Sequence, residues 1–327
     1  MGRGVREDLC KRLEDAHKNG RCLVPGSVTE SHRLREAFRR GDILSPAPQV
    51  YALPDVWTQM KPAERERQRV RALASLHPAW VFAGPSAAAM YGLAVANWHF
   101  GKVHLACSGT SCARDTAAIK RHVVSGDTFE RIGEVTVTSF VRTAFDCMRM
   151  WDFPSALAVG DSAARLLGMS GIQLEDQLQQ FHAGHRGYGH ALDTARLADG
   201  RSENGGESIA RATMIRYGYM VPDLQVEIPN IADEHSVFRV DFLWRLPGWS
   251  VAGELDGREK YKNPAMTHGR DVVDVLADER LRESRISGTG VRVMRFSYWD
   301  VVHADRFCSL MTSYGIPSGF EVPQVAR

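Results

Sequence analysis

The sequence predicts a multidomain protein of the α+β class, and three observations support this. Its 327 residues suffice for two or three domains with separate hydrophobic cores. Two helical patterns and a hairpin come first, and a mixed block of strands and helices follows. The last block gives the order helix, three strands, helix, strand. We place the blocks at residues 1–60, 61–200 and 201–327, with the second boundary in a polar, glycine-rich stretch.

Composition limits the classes of function. Lys and Arg number 41 and Asp and Glu number 39, so the net charge is only +2 and any nucleic-acid-binding surface must be local. No apolar run approaches the length of about 18 residues that spans a membrane, and the N-terminus lacks the apolar segment of a signal peptide. We therefore expect a cytoplasmic protein without a membrane partner. The six cysteines form no C-x-x-C pair, which favours scattered reduced thiols.

The first block combines two helices with a hairpin. Gly20 ends the first helix, Ser27 and Glu30 fit a capping box, and Gly41 ends the second helix. Two short apolar runs around a proline-rich turn then predict the hairpin. Helix, basic helix, hairpin is the order of a winged helix, in which the basic helix reads DNA. The candidate DNA-contacting residues are Arg33, Arg35, Arg39 and Arg40. A solvated amphipathic helix is the alternative interpretation.

The middle block begins with a charged helix over residues 61–76, whose alternating arginines and glutamates indicate a solvated face. Strand-like runs follow at VHLAC, KRHVV and GEVTVTS, and two or more helices lie between Val141 and Leu197. His182, His185 and His190 share a glycine-containing loop with Asp193 nearby. Because no cysteine accompanies them, a zinc site is not favoured.

The third block carries a constellation of carboxylates. Asp241 lies on one predicted strand, and Glu254 and Asp256 project to the same side of the next. If the two strands pair through the intervening PGW turn, the three carboxylates can converge, with Glu207 at the head of the preceding helix as a fourth. Close carboxylates repel one another, and a cation is the usual way to keep them ionised. Hard oxygen ligands suit Mg²⁺ or Mn²⁺.

This order of residues resembles the PD-(D/E)XK nuclease superfamily, and in particular its very-short-patch-repair-like endonuclease domains. The resemblance rests on Glu207, Asp241, Glu254 and Asp256, with Lys260 shortly after. It implies a restriction-endonuclease-like αβββαβ core, in which Asp241 and Glu254 are metal ligands. It also implies that Asp256 is a ligand or positions water and that Glu207 lies at the edge of the site. The commonest pattern has lysine where Asp256 stands, and Lys260 is the nearest candidate replacement.

The second helix of this block adds two candidate contacts to DNA phosphate, Arg280 and Arg282. The alternative is a solvated, salt-bridged helix face.

The first two blocks resemble the AbiEi-type antitoxins of type IV toxin–antitoxin systems. PSAAAMYGL and the helical segment TVTSFVRTAFDCMRMWDFPSALAVGDSAAR carry the resemblance in the middle block, and the helix–hairpin order carries it in the first. The resemblance implies an N-terminal winged helix that binds operator DNA. It also implies two partners, double-stranded DNA and a cognate toxin.

Together these patterns predict a DNA-binding protein with a metal-dependent endonuclease domain, in a defence or mobile-element setting. Metal-activated water, assisted by Lys260, would hydrolyse a phosphodiester. A non-catalytic antitoxin or transcriptional repressor, which binds operator DNA and a partner toxin, is the main alternative. An RNA-processing or structure-specific nuclease is a third.

Overall fold

The computed structural model describes residues 3–108, 114–124, 129–181, 183–233, 235–256 and 272–327. Within these ranges the protein has thirteen α-helices and three sheets, which confirms the predicted mixed α+β class. Its internal contacts group the chain into two compact units, Met1–Met150 and Trp151–Arg327. The predicted boundaries at residues 60 and 200 lie inside these units, and the division into three blocks stays a prediction.

The first unit opens in the predicted order of two helices and an antiparallel hairpin: α1 (Arg3–Lys18), α2 (Val28–Arg39), β1 (Leu44–Ala47) and β2 (Val50–Ala52). The Ser27 hydroxyl caps α2 by accepting a hydrogen bond from the Glu30 backbone N–H at 3.2 Å. The Glu30 carboxylate accepts from the Gly26 N–H instead of the Ser27 N–H, so only half of the predicted capping box forms. Leu34 and Ala37 bury the apolar face of α2.

The rest of this unit is a five-stranded mixed sheet packed with helices, in the strand order β5-β4-β3-β7-β6. Its elements are α3 (Pro54–Gln59), α4 (Pro62–Leu76), β3 (Val81–Phe82), α5 (Gly84–Tyr91), β4 (Val103–Cys107), β5 (Ile119–Val123), β6 (Phe129–Ile132), β7 (Val135–Thr138) and α6 (Phe140–Met150). The three predicted strand runs are confirmed. The predicted solvated face of α4 is wrong in part, because Glu66 and Gln68 are buried. Glu66 accepts a 2.5 Å hydrogen bond from Ser86 on α5 and pairs with Arg69.

The second unit begins with four helices and continues into a four-stranded sheet of order β11-β10-β9-β8. Its elements are α7 (Phe153–Leu167), α8 (Gly171–Leu178), α9 (Tyr188–Arg196), α10 (Gly205–Arg216), β8 (Asp223–Pro229), β9 (Val237–Leu246), β10 (Trp249–Asp256), α11 (Val272–Ser287), β11 (Val291–Ser297), α12 (Tyr298–Val302) and α13 (Ala304–Ser313). From α10 to β11 this is the predicted order of helix, three strands, helix, strand.

The pairing of β9 with β10 depends on a tight turn at Pro247 and Gly248. Gly248 has φ +85°, a left-handed conformation that glycine adopts without steric cost, and the two strands run antiparallel from Leu246 opposite Trp249. β11 pairs parallel to β10 after the α11 crossover. A buried apolar cluster in this unit includes Val240, Leu243 and Ile286.

None of the helices in the described part of the chain has both the length and the apolar character that a membrane span requires. The expectation of reduced thiols is wrong for Cys107, which is disulfide-bonded; Cys112 lies outside the described residues. The free thiols of the described chain are Cys10, Cys22, Cys147 and Cys308.

Candidate functional site

Three of the predicted carboxylates, those of Glu207, Asp241 and Glu254, come together in the second unit. Asp241 on β9 accepts a 2.9 Å hydrogen bond from the backbone N–H of Leu255 on β10, which fixes its carboxylate beside that strand. The negative charge of Asp241 contributes to raising the pKa of both Glu207 and Glu254. Asp241 therefore lies within electrostatic reach of both Glu207 and Glu254, and the pairing of β9 with β10 expected from the sequence places it beside Glu254.

Glu207 lies in the first turn of α10 and is only 4% exposed. Its Oε2 accepts hydrogen bonds from the Glu203 N–H at 2.7 Å and from Gln225 Nε2 at 3.1 Å, and Asn204 donates to its Oε1. Burial is the main cause that raises its pKa to about 7, and the charge of Asp241 acts in the same direction. This carboxyl group therefore changes charge near neutral pH, although its oxygens are held by three donors.

Gln225 is a site residue that the sequence analysis missed. It lies on β8 with φ +53°, a left-handed conformation that is uncommon for a residue with a side chain and is often retained at functional sites. Its amide donates to Glu207 and lies 3.5 Å from Asp241 Oδ1, so it bridges two of the three acids. A glutamine in the run LQVEI carries no local signal of this role.

Glu254 faces a cation supplied by α11. Its Oε1 is buried and pairs with Arg282 Nη2 at 3.0 Å. Burial raises the pKa of Glu254, Arg282 opposes that change, and Asp241 adds to it. The predicted DNA-contacting residue Arg282 is thus a neighbour of the carboxylates in this structure.

Asp256 has a different partner from the other three acids. Arg295 on β11 donates to both of its oxygens, with Nε 2.9 Å from Oδ2. Arg295 also donates to Glu279 on α11 at 3.1 Å. These carboxylates raise the pKa of the Arg295 guanidinium, which is therefore held firmly in its charged form. Asp256 is thus neutralised by Arg295, whose charge also acts on Glu254.

The remaining predicted site residues lie on exposed surfaces or outside the described chain. Lys260 is among the residues that the structure does not describe. Arg280 is exposed on α11. The four arginines of the first unit, Arg33, Arg35, Arg39 and Arg40, are all exposed at α2.

A hard divalent cation suits the donors of this site, although no group of three His, Cys, Asp or Glu side chains in the described ranges has the arrangement of a metal centre. The carboxylates of Asp241 and Glu254 repel each other, and the Oε1 of Glu254 is buried. Carboxylate oxygens are ligands that Mg²⁺ and Mn²⁺ prefer. Asp241 and Glu254 are therefore the carboxylates that could hold the expected ion, although Glu254 is paired with Arg282 and Asp256 with Arg295.

Comparison with known proteins gives two related matches. The chain is 32% identical over 190 residues to the uncharacterized protein MT2308 of Mycobacterium tuberculosis strain CDC 1551 / Oshkosh, and the alignment covers 57% of this chain and 68% of the relative. The uncharacterized protein Rv2248 of strain ATCC 25618 / H37Rv gives the same values. No protein-family model matches the sequence. No solved structure matches it.

Proposed function

We propose that this chain, which belongs to the same protein family as MT2308 and Rv2248 of Mycobacterium tuberculosis, is a DNA-binding protein with a metal-dependent endonuclease domain. The observation that carries the proposal is the meeting of Glu207, Asp241 and Glu254 on an αβββαβ sequence of elements. The proposal includes a winged helix within residues 1–60, an AbiEi-like middle block over residues 61–200 and a PD-(D/E)XK-like domain over residues 201–327.

The residues of the site divide the work of such a reaction. Asp241 and Glu254 would hold Mg²⁺ or Mn²⁺. When bound, the ion would supply positive charge at the phosphate and a water molecule of lowered pKa. Gln225 links Glu207 to Asp241 and orients both carboxylates. The Leu255 N–H donates to Asp241 Oδ2 and holds that oxygen beside β10.

The first test is cleavage of supercoiled plasmid in the presence of Mg²⁺ or Mn²⁺. We expect nicking by the wild-type chain, loss of nicking in Asp241→Asn and in EDTA, and DNA binding within a few-fold of wild type in the variant. Asp223→Asn is the matched control, because Asp223 is an exposed acid on β8 whose partner is the exposed Arg245. Equal nicking by Asp241→Asn and wild type would overturn the assignment of the site.

A non-catalytic antitoxin or repressor is the second candidate function, and the pairing of acids with arginines favours it. Glu254 lies against Arg282, and Asp256, which stands where a lysine is expected, is bound by Arg295. Such pairs neutralise carboxylates without a metal ion. This candidate predicts operator binding and toxin capture by the wild-type chain, with no cleavage under any divalent cation.

A further inference from the structure

Arg282 is held beside the carboxylates by contacts of two kinds. One is the ion pair with Glu254, in which Nη2 lies 3.0 Å from Oε1. The other contacts involve β9: Nη2 donates to the Arg239 carbonyl at 2.7 Å, and the guanidinium carbon lies 5.9 Å from the centre of the Phe238 ring. Arg280, two residues earlier on the same helix, is exposed. Of these two arginines, Arg282 is the one that contacts a carboxylate of the site.

The ion pair with Arg282 stabilises the charged form of the Glu254 carboxylate. Its Oε1 is buried and lies in the field of Asp241, which is a costly position for a carboxylate that has no cation nearby. Arg282 pairs directly with this carboxylate, and the charge of Arg295 acts on it in the same direction. A divalent ion bound by Asp241 and Glu254 would stabilise the same negative charge and would repel the guanidinium. The metal ion and Arg282 should therefore compete for Glu254.

The contacts with β9 do not depend on Glu254. They can hold the guanidinium near the site after its carboxylate partner is taken by a metal ion. A guanidinium offers a planar fork of N–H donors that matches two phosphate oxygens. The nucleic-acid substrate of the proposed function would bring such a phosphate to this position.

We propose that Arg282 exchanges partners, pairing with Glu254 when the site holds no metal ion and with a nucleic-acid phosphate when a divalent cation is bound. The inference rests on the proposed metal-dependent function. It differs from the sequence-based prediction because it makes phosphate contact by Arg282 conditional on the metal ion.

The competition between Arg282 and a metal ion for Glu254 is tested by Mn²⁺ binding to the full-length chain, followed through the electron paramagnetic resonance signal of free Mn²⁺. We expect Arg282→Gln to bind Mn²⁺ about fivefold more tightly than wild type, because a resident cation has been removed. Arg280→Gln is the matched control and should bind like wild type, and Arg282→Lys should restore the weaker affinity. In a Glu254→Gln background, Arg282→Gln should have no further effect.

The outcomes separate this inference from the proposed function. If neither wild type nor Arg282→Gln binds Mn²⁺, both fail. If the two bind Mn²⁺ with equal affinity, the proposed metal site stands and the displacement of Arg282 is wrong. Thermal denaturation of each variant shows whether it folds, and Arg282→Lys provides a second variant that retains the charge.

The contact of Arg282 with a phosphate in the metal-bound site is tested by the affinity for a mixed-sequence DNA duplex in EDTA and in Ca²⁺, with a gel to verify that the duplex stays intact. We expect Ca²⁺ to strengthen binding by wild type, and this gain should shrink about fivefold in Arg282→Gln because one phosphate contact is lost. Arg280→Gln should keep the wild-type ratio of the two affinities. An unchanged ratio in Arg282→Gln would overturn the phosphate contact.

Discussion

Two histidines of the first unit share a hydrogen bond between neighbouring strands. His104 Nδ1 on β4 and His122 Nε2 on β5 lie 2.8 Å apart. Burial is the main cause that lowers the pKa of both, and His104 falls to about 3 because the positive form of His122 would add repulsion. The pair is therefore kept uncharged, with one ring donating and the other accepting.

This arrangement predicts that acid destabilises the first unit. The pKa of His104 is lower in the folded state than in the unfolded state, where it is near 6.5. Between these two pKa values the unfolded chain therefore binds a proton that the native chain does not. The stability that the uncharged His104 contributes is present above pH about 6.5 and is lost as the pH falls toward 3. Between pH 7 and pH 5, the free energy of unfolding should fall by about 1–2 kcal/mol less in His104→Gln than in wild type. Urea unfolding at the two pH values measures this, and equal losses would contradict it.

Single residues also show what local sequence patterns can predict. The alternation of side chains along a strand predicts that Glu254 and Asp256 lie on one side of β10. It does not predict that Arg295 on β11 binds Asp256, because that contact depends on a partner 39 residues away. The burial of Glu66 and the left-handed backbone of Gln225 likewise arise from tertiary packing, which alternating charges or a β-forming run do not encode.

At the scale of secondary-structure elements, a buried ion pair fixes the helix that carries Glu207. Arg211, one turn further along α10, donates to Asp161 on α7 at 2.5 Å and to the Leu197 carbonyl at 2.9 Å. Asp161 is fully buried and also accepts from the Asp199 N–H. α7, α10 and the segment before α10 are thus joined at one carboxylate, which orients the start of α10.

Removing one member of this pair should destabilise the second unit strongly. Asp161→Asn leaves the Arg211 guanidinium buried without a countercharge, and we expect a loss of about 3 kcal/mol in the free energy of unfolding. The double variant Asp161→Leu with Arg211→Met should lose less, because no isolated charge remains buried. Arg201→Ala is the control, since the exposed Arg201 pairs with the half-buried Asp199 in a contact that we expect to be worth less than about 1 kcal/mol. A double variant less stable than Asp161→Asn would contradict this account.

The element order was more predictable than the site geometry. Apolar spacing and the Pro247–Gly248 turn define β9, β10 and their pairing, because both are local properties of the chain. The positions of Glu207 and Arg282 relative to these strands depend on where α10 and α11 pack, and no local pattern specifies that packing. This explains why Asp241 and Glu254 were predicted together, whereas the partners Gln225 and Arg282 emerged only from the three-dimensional structure.

At the scale of the whole molecule, a net charge of only +2 means that DNA affinity must come from local surfaces. On α2, Arg35 and Arg39 are four residues apart and so lie on one face of the helix. Arg35 contacts the neutral Ser31, and Arg39 forms no ion pair within the described ranges. Arg40 is instead paired with Glu36 and Asp42, which neutralise its charge. The positive charge that α2 offers to DNA is therefore uneven.

This unevenness predicts how binding of double-stranded DNA depends on salt. If Arg35 and Arg39 each contact a phosphate, the variant Arg35→Ala with Arg39→Ala should lower the slope of log affinity against log salt concentration by about two. Arg40→Ala, from the same helix, should change it by less than about one, because the charge of Arg40 is already compensated. Titration of a mixed-sequence duplex by fluorescence anisotropy over a range of NaCl concentrations measures both slopes. A slope that the double variant leaves unchanged would mean that α2 is a solvated face, and the DNA-binding surface would then have to be sought among other basic groups of the chain.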